Sequence, residues 1–516
     1  MKRKYLFLTL LAFIITFSSC DKNFVKINTN PVLANDLDPV YQFSNAQQAS
    51  VIPSYHYQGE IVQQIITPFG GVLEGGNRNT VNENNANATF DQLFTGSIRN
   101  LVDIINKLKN TPSRSNLYNM ARLWKAYCFQ NLVDTYGDVP YFDAGKGFIG
   151  STYLPKYDDQ KLIYDDLVKE YKEATDALTE GKDVVSGDLF YKGNIAQWKK
   201  LGNSLLLRIG MRYTKIDEAK AKSIAAIAVD AGRGGLMESN NDNAFIQYNA
   251  VYNNGTSSLL LGGERANYYI GKPFIDFLKS TNDPRLQFIS VKYANPSNPL
   301  ETAGVADTNP ADQLGMPYGY DETSISTAPD YPGKNGSAFN YSQFNRATVA
   351  RIDATRFLMT YAQTQLLLAE ANQRGYVSTG MAKDYYEKAV RAHMAQTGLY
   401  GMDVNINSSL QDNYLQQPGI AFEPAMAIEQ INEQYWIASV FIWEEAWANF
   451  RRSGFPQLAP INYQGADPSV NTPSAGGFIH RLPYPLREKS VNTANVVEAT
   501  SRMGGDNLGV RIFWDK

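Results

Sequence analysis

The stretch YWIASVFIWEEAWANFRRSGFP, Tyr435–Pro456, holds half of the six tryptophans of the chain. Its large apolar side chains recur at helical spacing and predict one helix buried along an aromatic seam: Trp436, Val440, Trp443, Trp447 and Phe450. The charged side chains are expected on the other face or at the helix end: Glu444, Glu445, Arg451 and Arg452. Gly454 and Pro456 predict the end of the helix. An aromatic stripe at this period indicates a helical core.

The composition is that of a globular protein. The chain has 516 residues, of which 43% are hydrophobic and 19% are charged. At roughly 100–200 residues per domain, this length predicts either several domains or one large body built from repeats. Lys and Arg number 48 against 51 Asp and Glu, so no basic excess points to nucleic acid as a partner. The 32 tyrosines and 25 phenylalanines suit contacts with sugars or peptides, and they suit core packing equally well.

The first residues have the pattern of an export signal. Met1–Lys4 is basic, Tyr5–Phe17 is apolar but short for a membrane span, and Ser18 and Ser19 lead to Cys20. Residues 1–19 are therefore predicted to be a signal peptide. Ser-Ser-Cys resembles the lipobox of bacterial lipoproteins, which implies a lipid on Cys20, although an ordinary secretory signal cleaved just before this cysteine stays open. Residues 20–37 have no periodic apolar face and predict a tether.

Helical periodicity dominates the remaining chain. Residues 38–70 predict one or two helices, and residues 71–90, rich in Gly and Asn, predict a loop. Further helices are expected near residues 90–109, 117–136, 157–178, 195–213 and 217–231, the last with Asp217 as its N-cap. The clearest pair is 355–374 with 382–396, in which small residues face large aromatic ones over about 34 residues. This pattern is typical of tetratricopeptide-type repeats, which stack into a scaffold.

The sequence between the helical blocks is irregular. Residues 232–354 are rich in Gly, Asn, Pro, Ser and Tyr. Because a structureless loop of this length is unusual in a compact domain, we expect ordered loops with short helices, one of them near 272–280. The predicted fold is therefore mostly α. Residues 38–516 form one body, with helical repeat pairs within about 90–231 and 355–452 and a loop-rich insert at about 232–354.

Motifs for catalysis or metal binding are missing from the sequence. The three histidines, at positions 56, 393 and 480, are too few and scattered for a zinc protease, and neither H-E-x-x-H nor G-x-S-x-G occurs. His393 and Cys128 lie in helical patterns and are predicted to be buried core residues. Asn240–Asn243 could hold a turn or touch calcium, and the turn is favoured because no carboxylate follows at EF-hand distance. We therefore predict no catalytic residue, no metal and no cofactor other than the lipid anchor.

Six motifs, in order, resemble the SusD/RagB family of nutrient-binding outer-membrane lipoproteins. They are the lipobox at Cys20, INTNP (27–31), YGDVPY (136–141), WEEAWANFRRSGFP (443–456), RLPYP (481–485) and the terminal FWDK (513–516). Ala446 holds a position where many relatives carry Gly. The resemblance implies a non-enzymatic protein anchored through acyl chains such as palmitate on the outer cell surface. It also implies a SusC-like TonB-dependent transporter as the partner that receives captured oligosaccharides or oligopeptides.

Candidate ligand residues come from two stretches in which aromatic, amide and charged side chains mix on loops. Such loops on a rigid scaffold suit recognition of sugars or peptides. The candidates are Glu74, Asn77, Arg78, Tyr252, Asn253, Arg265, Tyr268, Tyr269 and Tyr320. Packing or partner contact is the alternative for each tyrosine. Two other functions stay open, a surface glycoside hydrolase or lyase and a scaffold that binds only protein.

Overall fold

The first part of the computed structural model is a series of packed helices, and the described residues are 37–298, 306–400 and 405–516. The predicted signal peptide, Cys20 and nearly all of the tether lie outside these residues. Up to residue 228 the elements are α1 (Pro39–Ala49), α2 (His56–Ile61), β1 (Ile65–Ile66), α3 (Glu83–Gln92), α4 (Arg99–Leu108), α5 (Ser115–Tyr136), α6 (Gly147–Gly150), α7 (Gln160–Ala177), α8 (Ile195–Met211) and α9 (Glu218–Ala228). A π-helical segment, 93–98, joins α3 to α4.

Side-chain caps fix the ends of several of these helices. Asp217 accepts from the backbone of Lys220 and caps α9 as predicted. The prediction that residues 71–90 are all loop is wrong, because α3 begins at Glu83. Its cap is Asn82, whose side chain accepts from the backbone N–H of Asn85. Gly137, at φ 78°, ends α5 in a conformation that favours glycine.

The insert consists of short elements held among ordered loops, as expected from its composition. They are β2 (Ala244–Ile246), α10 (Gly255–Leu261), β3 (Tyr269–Ile270), α11 (Lys272–Ser280), α12 (Leu286–Ile289), β4 (Ser290–Val291), β5 (Lys334–Asn335), β6 (Ala338–Phe339) and β7 (Gln343–Phe344). The antiparallel pairs are β1 with β3, β4 with β7, and β5 with β6. Residues 240–242 form a 3-10 turn capped by Ser239, in agreement with the predicted turn.

The last part of the chain returns to helices. Its elements are β8 (Arg356–Met359), α13 (Tyr361–Gln373), α14 (Ala382–Gln396), α15 (Ser408–Tyr414), α16 (Ala427–Ala438), α17 (Trp443–Ser453), α18 (Leu486–Val491) and α19 (Thr493–Met503). Helix α13 packs against α14, α16 and α8, so both helical blocks belong to one frame. Within the described ranges no helix has both the length and the apolar character that a membrane span requires.

The predicted helix 355–374 is wrong at its start. Residues 356–359 form β8, which pairs antiparallel with β2 and is buried on both faces. The helix begins only after Thr360, whose side chain forms a capping box with Gln363. Phe357 therefore lies in a strand, because pairing with β2 outweighs the local helical pattern.

The aromatic stretch 435–456 forms two helices instead of the single one predicted. Helix α16 ends at Ala438, Phe441 adopts φ 63°, and α17 begins at Trp443. A positive φ is costly for a bulky residue, and here packing maintains it: the Phe441 ring lies 4.7 Å from that of Phe344 and 5.0 Å from that of Trp443. After this turn, Trp443 packs on Gly59 of α2, where a Cβ would lie 2.7 Å from the indole ring. The stripe is a helical core, as predicted.

The charged residues of α17 are buried as well and connect the helices through ion pairs. Arg452 binds both carboxylate oxygens of Glu370 on α13, at 2.8 and 2.7 Å. Glu445 accepts from Arg212, the residue directly after α8, at 2.6 Å. Glu444 accepts from Arg356 of β8 at 3.1 Å. The other face of this helix is thus a polar core.

The end of the chain is inserted between early helices. The indole of Trp514 is fully buried and donates to Asp134 of α5 at 3.2 Å. Asp515 lies 2.5 Å from Nδ1 of His480, and the guanidinium of Arg451 lies 4.9 Å from the Trp514 ring centroid. The last residues therefore complete a core that the first helical block begins.

Candidate ligand-binding site

A small apolar cluster, distinct from the main core, lies beneath three surface loops. Its buried members are Ile66, Tyr269, Met316, Ile325, Ala328, Phe339 and Tyr341. The β1–β3 pair and a parallel bridge from Gly271 to Met316 hold the segments together. Half-buried aromatic side chains cover the cluster: Phe69, Tyr318, Tyr320 and Tyr331.

Arg78 joins three loops that are far apart in the sequence, 67–80, 317–331 and 460–467. Its guanidinium donates to the carbonyl of Pro68 and lies 5.0 Å from the centroid of the Tyr463 ring. It also lies 3.5 Å from a carboxylate oxygen of Glu74 and 3.5 Å from one of Glu322. We call the following set the three-loop junction: Phe69, Glu74, Arg78, Tyr320, Asp321, Glu322 and Tyr463.

The side chains of the junction differ in exposure. Arg78 is only 4% exposed, whereas Glu74 and Glu322 are 34% and 43% exposed. The arginine therefore acts as an internal tie between loops, and the carboxylates remain accessible. Half-buried aromatic rings beside open hydrogen-bond acceptors suit a sugar, whose ring has an apolar face and hydroxyl donors at its edge.

Close packing on helix α2 holds the 70–80 loop in place. A Cβ on Gly76 would lie 2.4 Å from the carbonyl oxygen of Tyr57, and one on Gly75 would lie 2.7 Å from Oε2 of Glu60. These contacts explain the two adjacent glycines. The side chain of Asn77 donates to the carbonyl of Thr67 at 2.6 Å and closes the loop from below.

Glu60 lies in the interior directly behind this loop. It is 1% exposed, and burial raises its pKa to about 8. Oε2 accepts from the backbone N–H of Asn77 at 3.4 Å, while Oε1 has no hydrogen-bond partner among the described residues. Burial therefore favours the uncharged form of this carboxyl group behind the loop.

Asp321 remains ionised at the surface of the junction. Its Oδ1 accepts from the hydroxyls of Thr323 and Ser324, at 2.7 and 2.8 Å, and from both backbone N–H groups. These donors, with the Thr323 hydroxyl contributing most, hold the pKa of Asp321 well below its usual range. Its second oxygen accepts from the Tyr463 hydroxyl at 3.4 Å.

A comparison with known protein families identifies the family of this chain. A family model described as "Starch-binding associating with outer membrane" and named SusD-like matches residues 22–485. The chain belongs to the SusD-like family. That description is of a binding protein and not an enzyme, in agreement with the prediction of a non-enzymatic function. It also associates the SusD-like family with the outer membrane. Curated protein sequences give no match.

Solved structures agree with this assignment. A chitin-binding protein is 29% identical at a TM-score of 0.76, with 93% of this chain and 100% of that chain covered. A Bacteroidetes SusD-like protein, AC2a, is 26% identical at a TM-score of 0.79, with 93% of this chain and 100% of that chain covered. A chitin-binding SusD homologue from Flavobacterium johnsoniae is 23% identical at a TM-score of 0.73, with 93% of this chain and 98% of that chain covered. At this identity the likeness shows the fold alone. The predicted mostly helical, tetratricopeptide-like SusD fold is confirmed.

Three of the predicted ligand residues meet in the junction of this SusD-like protein: Glu74, Arg78 and Tyr320. Three others lie inside the protein, as Arg78 does at 3% exposure, and therefore have little surface to offer a ligand. Asn77 is 1% exposed, Tyr268 is 3% exposed with its ring against His56, and Tyr269 is fully buried. The hydroxyl of Tyr269 donates to the Ala266 carbonyl at 2.6 Å and accepts from the Phe339 N–H at 2.9 Å. The β1–β3 pairing draws this tyrosine inward.

The remaining predicted residues are held by other parts of the insert. Tyr252 is 40% exposed and stacks on Tyr248, with ring centroids 5.6 Å apart, and Asn253 beside it is exposed. Arg265 donates to the carbonyls of Leu261 and Ser297, at 2.9 and 3.0 Å. None of these described contacts reaches the three-loop junction.

Four members of the junction were not among the predicted ligand residues: Phe69, Asp321, Glu322 and Tyr463. The segments YDE (320–322) and NYQG (462–465) each contain an aromatic residue in a Gly-rich loop, and this composition is the only feature of the sequence that points to them as ligand-binding candidates. Nothing in either segment indicates that they meet at Arg78. Within the described ranges, no group of three His, Cys, Asp or Glu side chains is placed to hold a metal ion.

Proposed function

We propose that this SusD-like protein captures oligosaccharides at the three-loop junction. The observation that carries the proposal is the convergence on Arg78 of three loops, through Glu74, Glu322 and Tyr463. This convergence places half-buried rings and open carboxylates on a stiff helical frame. The description of the family as starch-binding, and of one similar structure as chitin-binding, supports a glycan as the ligand.

The proposal includes an anchor and a recipient. A lipid on Cys20 attaches the protein to the outer face of the outer membrane, and residues 20–37 act as the tether. A SusC-like TonB-dependent transporter receives the sugar, which leaves chemically unchanged. The lipobox motif and the outer-membrane association of the family support this part.

The ligand proposal is tested by calorimetric titration of the purified lipoprotein with oligosaccharides from starch and chitin, and with oligopeptides. We expect an affinity on the order of micromolar for a glycan, about −8 kcal/mol. Tyr463→Ala removes the ring over Arg78 and should weaken binding about tenfold. Tyr153→Ala is the matched control, because Tyr153 is 74% exposed and lies outside the junction.

Three results would contradict the ligand proposal. Binding of peptides alone would change the ligand class, and release of shortened sugars would indicate a hydrolase or lyase. If Tyr463→Ala and Tyr153→Ala had the same effect, the ligand would bind elsewhere on the protein.

The anchor and the transporter are tested on native membranes. Extraction in mild detergent should recover a large outer-membrane barrel in near-equal amount with the lipoprotein. Cys20→Ala should move the protein from the membrane to the soluble fraction and abolish labelling by a palmitate analogue. Recovery of the lipoprotein alone, under conditions that preserve a known complex, would contradict the delivery proposal.

A further inference from the structure

The three-loop junction carries more negative than positive charges. Its charged members are Glu74, Asp321 and Glu322 against the single cation Arg78. Beyond it on the same insert, Asp330 is exposed, and Lys334 lies 5.3 Å from the centroid of the Phe339 ring. The loops around the junction therefore offer more carboxylates than cations.

Arg78 does not offer its charge to a ligand. Its side chain is 4% exposed, it donates to the carbonyl of Pro68, and the ring of Tyr463 covers it. Its ion-pair distances to Glu74 and Glu322 are 3.5 Å, long for a charge-assisted hydrogen bond. Both carboxylates therefore retain acceptor positions that face solvent.

A second observation points to a ligand at this place. The hydroxyl of Tyr341 has no hydrogen-bond partner among the described residues, although the side chain is only 2% exposed. Tyr341 belongs to the cluster under the junction, and its ionisable neighbours are Tyr331, Tyr320 and Asp330. Buried polar groups normally have a partner, so an unpaired hydroxyl beside a half-open aromatic surface suits a polar ligand.

We infer that the junction selects glycans that carry free amines, such as partly deacetylated chitin oligosaccharides, over neutral and acidic glycans. This inference rests on the proposed function and specifies its substrate class. The ammonium group lies against Glu322 and Asp321, and the sugar ring lies on Tyr320 and Tyr463. A uronate or sulfate at the same position meets only like charge, because Arg78 is enclosed.

The test compares three oligosaccharides of equal length: N-acetylated chitin, its deacetylated counterpart and oligogalacturonate. At about pH 6 the sugar amine is largely protonated. We expect the deacetylated form to bind about fivefold more tightly than the acetylated form at low salt, as for an exposed ion pair. The preference should vanish at about 0.5 M salt, and oligogalacturonate should not bind detectably.

Two substitutions locate the effect. Glu322→Gln should reduce the preference for the amine to less than about twofold, because it weakens binding of the deacetylated form more than binding of the acetylated form. Glu498→Gln is the matched control, because Glu498 is also an exposed glutamate beside an arginine, 3.4 Å from Arg502, on helix α19. It should leave the preference intact.

The outcomes separate this inference from the proposed function. Equal affinity for the acetylated and deacetylated forms, with no effect of Glu322→Gln, overturns the amine preference and leaves glycan capture standing. Stronger binding of oligogalacturonate also overturns it. If none of these sugars and no starch oligosaccharide binds, the proposed function itself fails.

Discussion

The helical frame and the three-loop junction use the same chemical groups, an arginine with carboxylates, in opposite ways. In the frame, Arg452 and Glu370 are each 1% exposed and form a bidentate pair at 2.7 and 2.8 Å. In the junction, Arg78 is buried, but Glu74 and Glu322 lie 3.5 Å away and are 34% and 43% exposed. The frame pair is satisfied internally, whereas the junction leaves acceptors open to solvent.

We expect this difference to separate residues that stabilise the fold from residues that bind the proposed ligand. A closed, buried pair is costly to break, because removal of one partner leaves the other charge in the interior. A half-exposed pair contributes little to folding, since water screens it, and its free acceptors remain available to a ligand. The following predictions test this separation, from the largest expected effect to the smallest.

Breaking the buried pair should have the largest effect. Arg452→Met leaves Glu370 without its main counter-charge and should lower the free energy of unfolding by about 3–5 kcal/mol. Urea denaturation measures the loss. Arg374→Met is the matched control, because Arg374 binds the same carboxylate at 2.8 Å but is 28% exposed, and it should cost clearly less. Equal costs would contradict the importance of burial.

Two buried glutamates should respond to pH in opposite directions. Burial opposes the charge of Glu370, but Arg452 and Arg374 lower its pKa to about 2, so its stabilisation is present above pH 4.5 and lost as the pH falls through about 2. Glu60 has its pKa raised from 4.5 to about 8 by burial, so stability falls as the pH rises from 4.5 to about 8. Each slope should disappear in Glu370→Gln and Glu60→Gln, respectively, when unfolding is measured against pH. A slope that survives its own substitution would refute the assignment.

Substitution of two glycines should distinguish the helical frame from the junction. Gly59 lies in α2, and Gly75 packs against it. Gly59→Ala places a Cβ 2.7 Å from the Trp443 ring and should cost about 1–3 kcal/mol of stability. Gly75→Ala places one 2.7 Å from Oε2 of Glu60, under the 70–80 loop, and should weaken ligand binding. Thermal unfolding measures the stability of both variants, and titration with the ligand measures their affinity. If Gly59→Ala weakened binding as much as Gly75→Ala did, the two regions would not be independent.

The smallest effect on folding is expected from an open carboxylate of the junction. Glu322→Gln should change the free energy of unfolding by less than about 0.5 kcal/mol, because the pair is exposed and long. Urea denaturation beside wild type checks this value. A loss above about 1 kcal/mol would make Glu322 a structural residue.

The sequence predicted the frame better than the junction, for a physical reason. Helical periodicity and caps are local, so α11 and α14 were predicted to within a residue of their observed ends, and Asp217 was recognised as a cap. The break at Phe441 depends on the ring of Phe344, almost a hundred positions earlier, and no local pattern encodes it. Tertiary packing decided both this turn and β8.

The composition of the loops pointed to part of the junction. A mixture of aromatic and charged residues in Gly-rich segments identified Glu74, Arg78 and Tyr320. The same criterion selected Tyr269, which is buried because its strand pairs with β1. Composition shows which loops are rich in aromatic and charged side chains, but the meeting of residues 78, 322 and 463 is a property of the folded chain.

The insertion of the last residues among the first helices affects the order in which the core is completed during folding. Asp134 of α5 and the indole of Trp514 are separated by 380 positions, and both are buried where they meet. Repeat scaffolds can fold one unit at a time, but here the first block lacks part of its core until the final residues arrive. A chain that folds as it is made therefore cannot complete the core of its first block until its last residues are available.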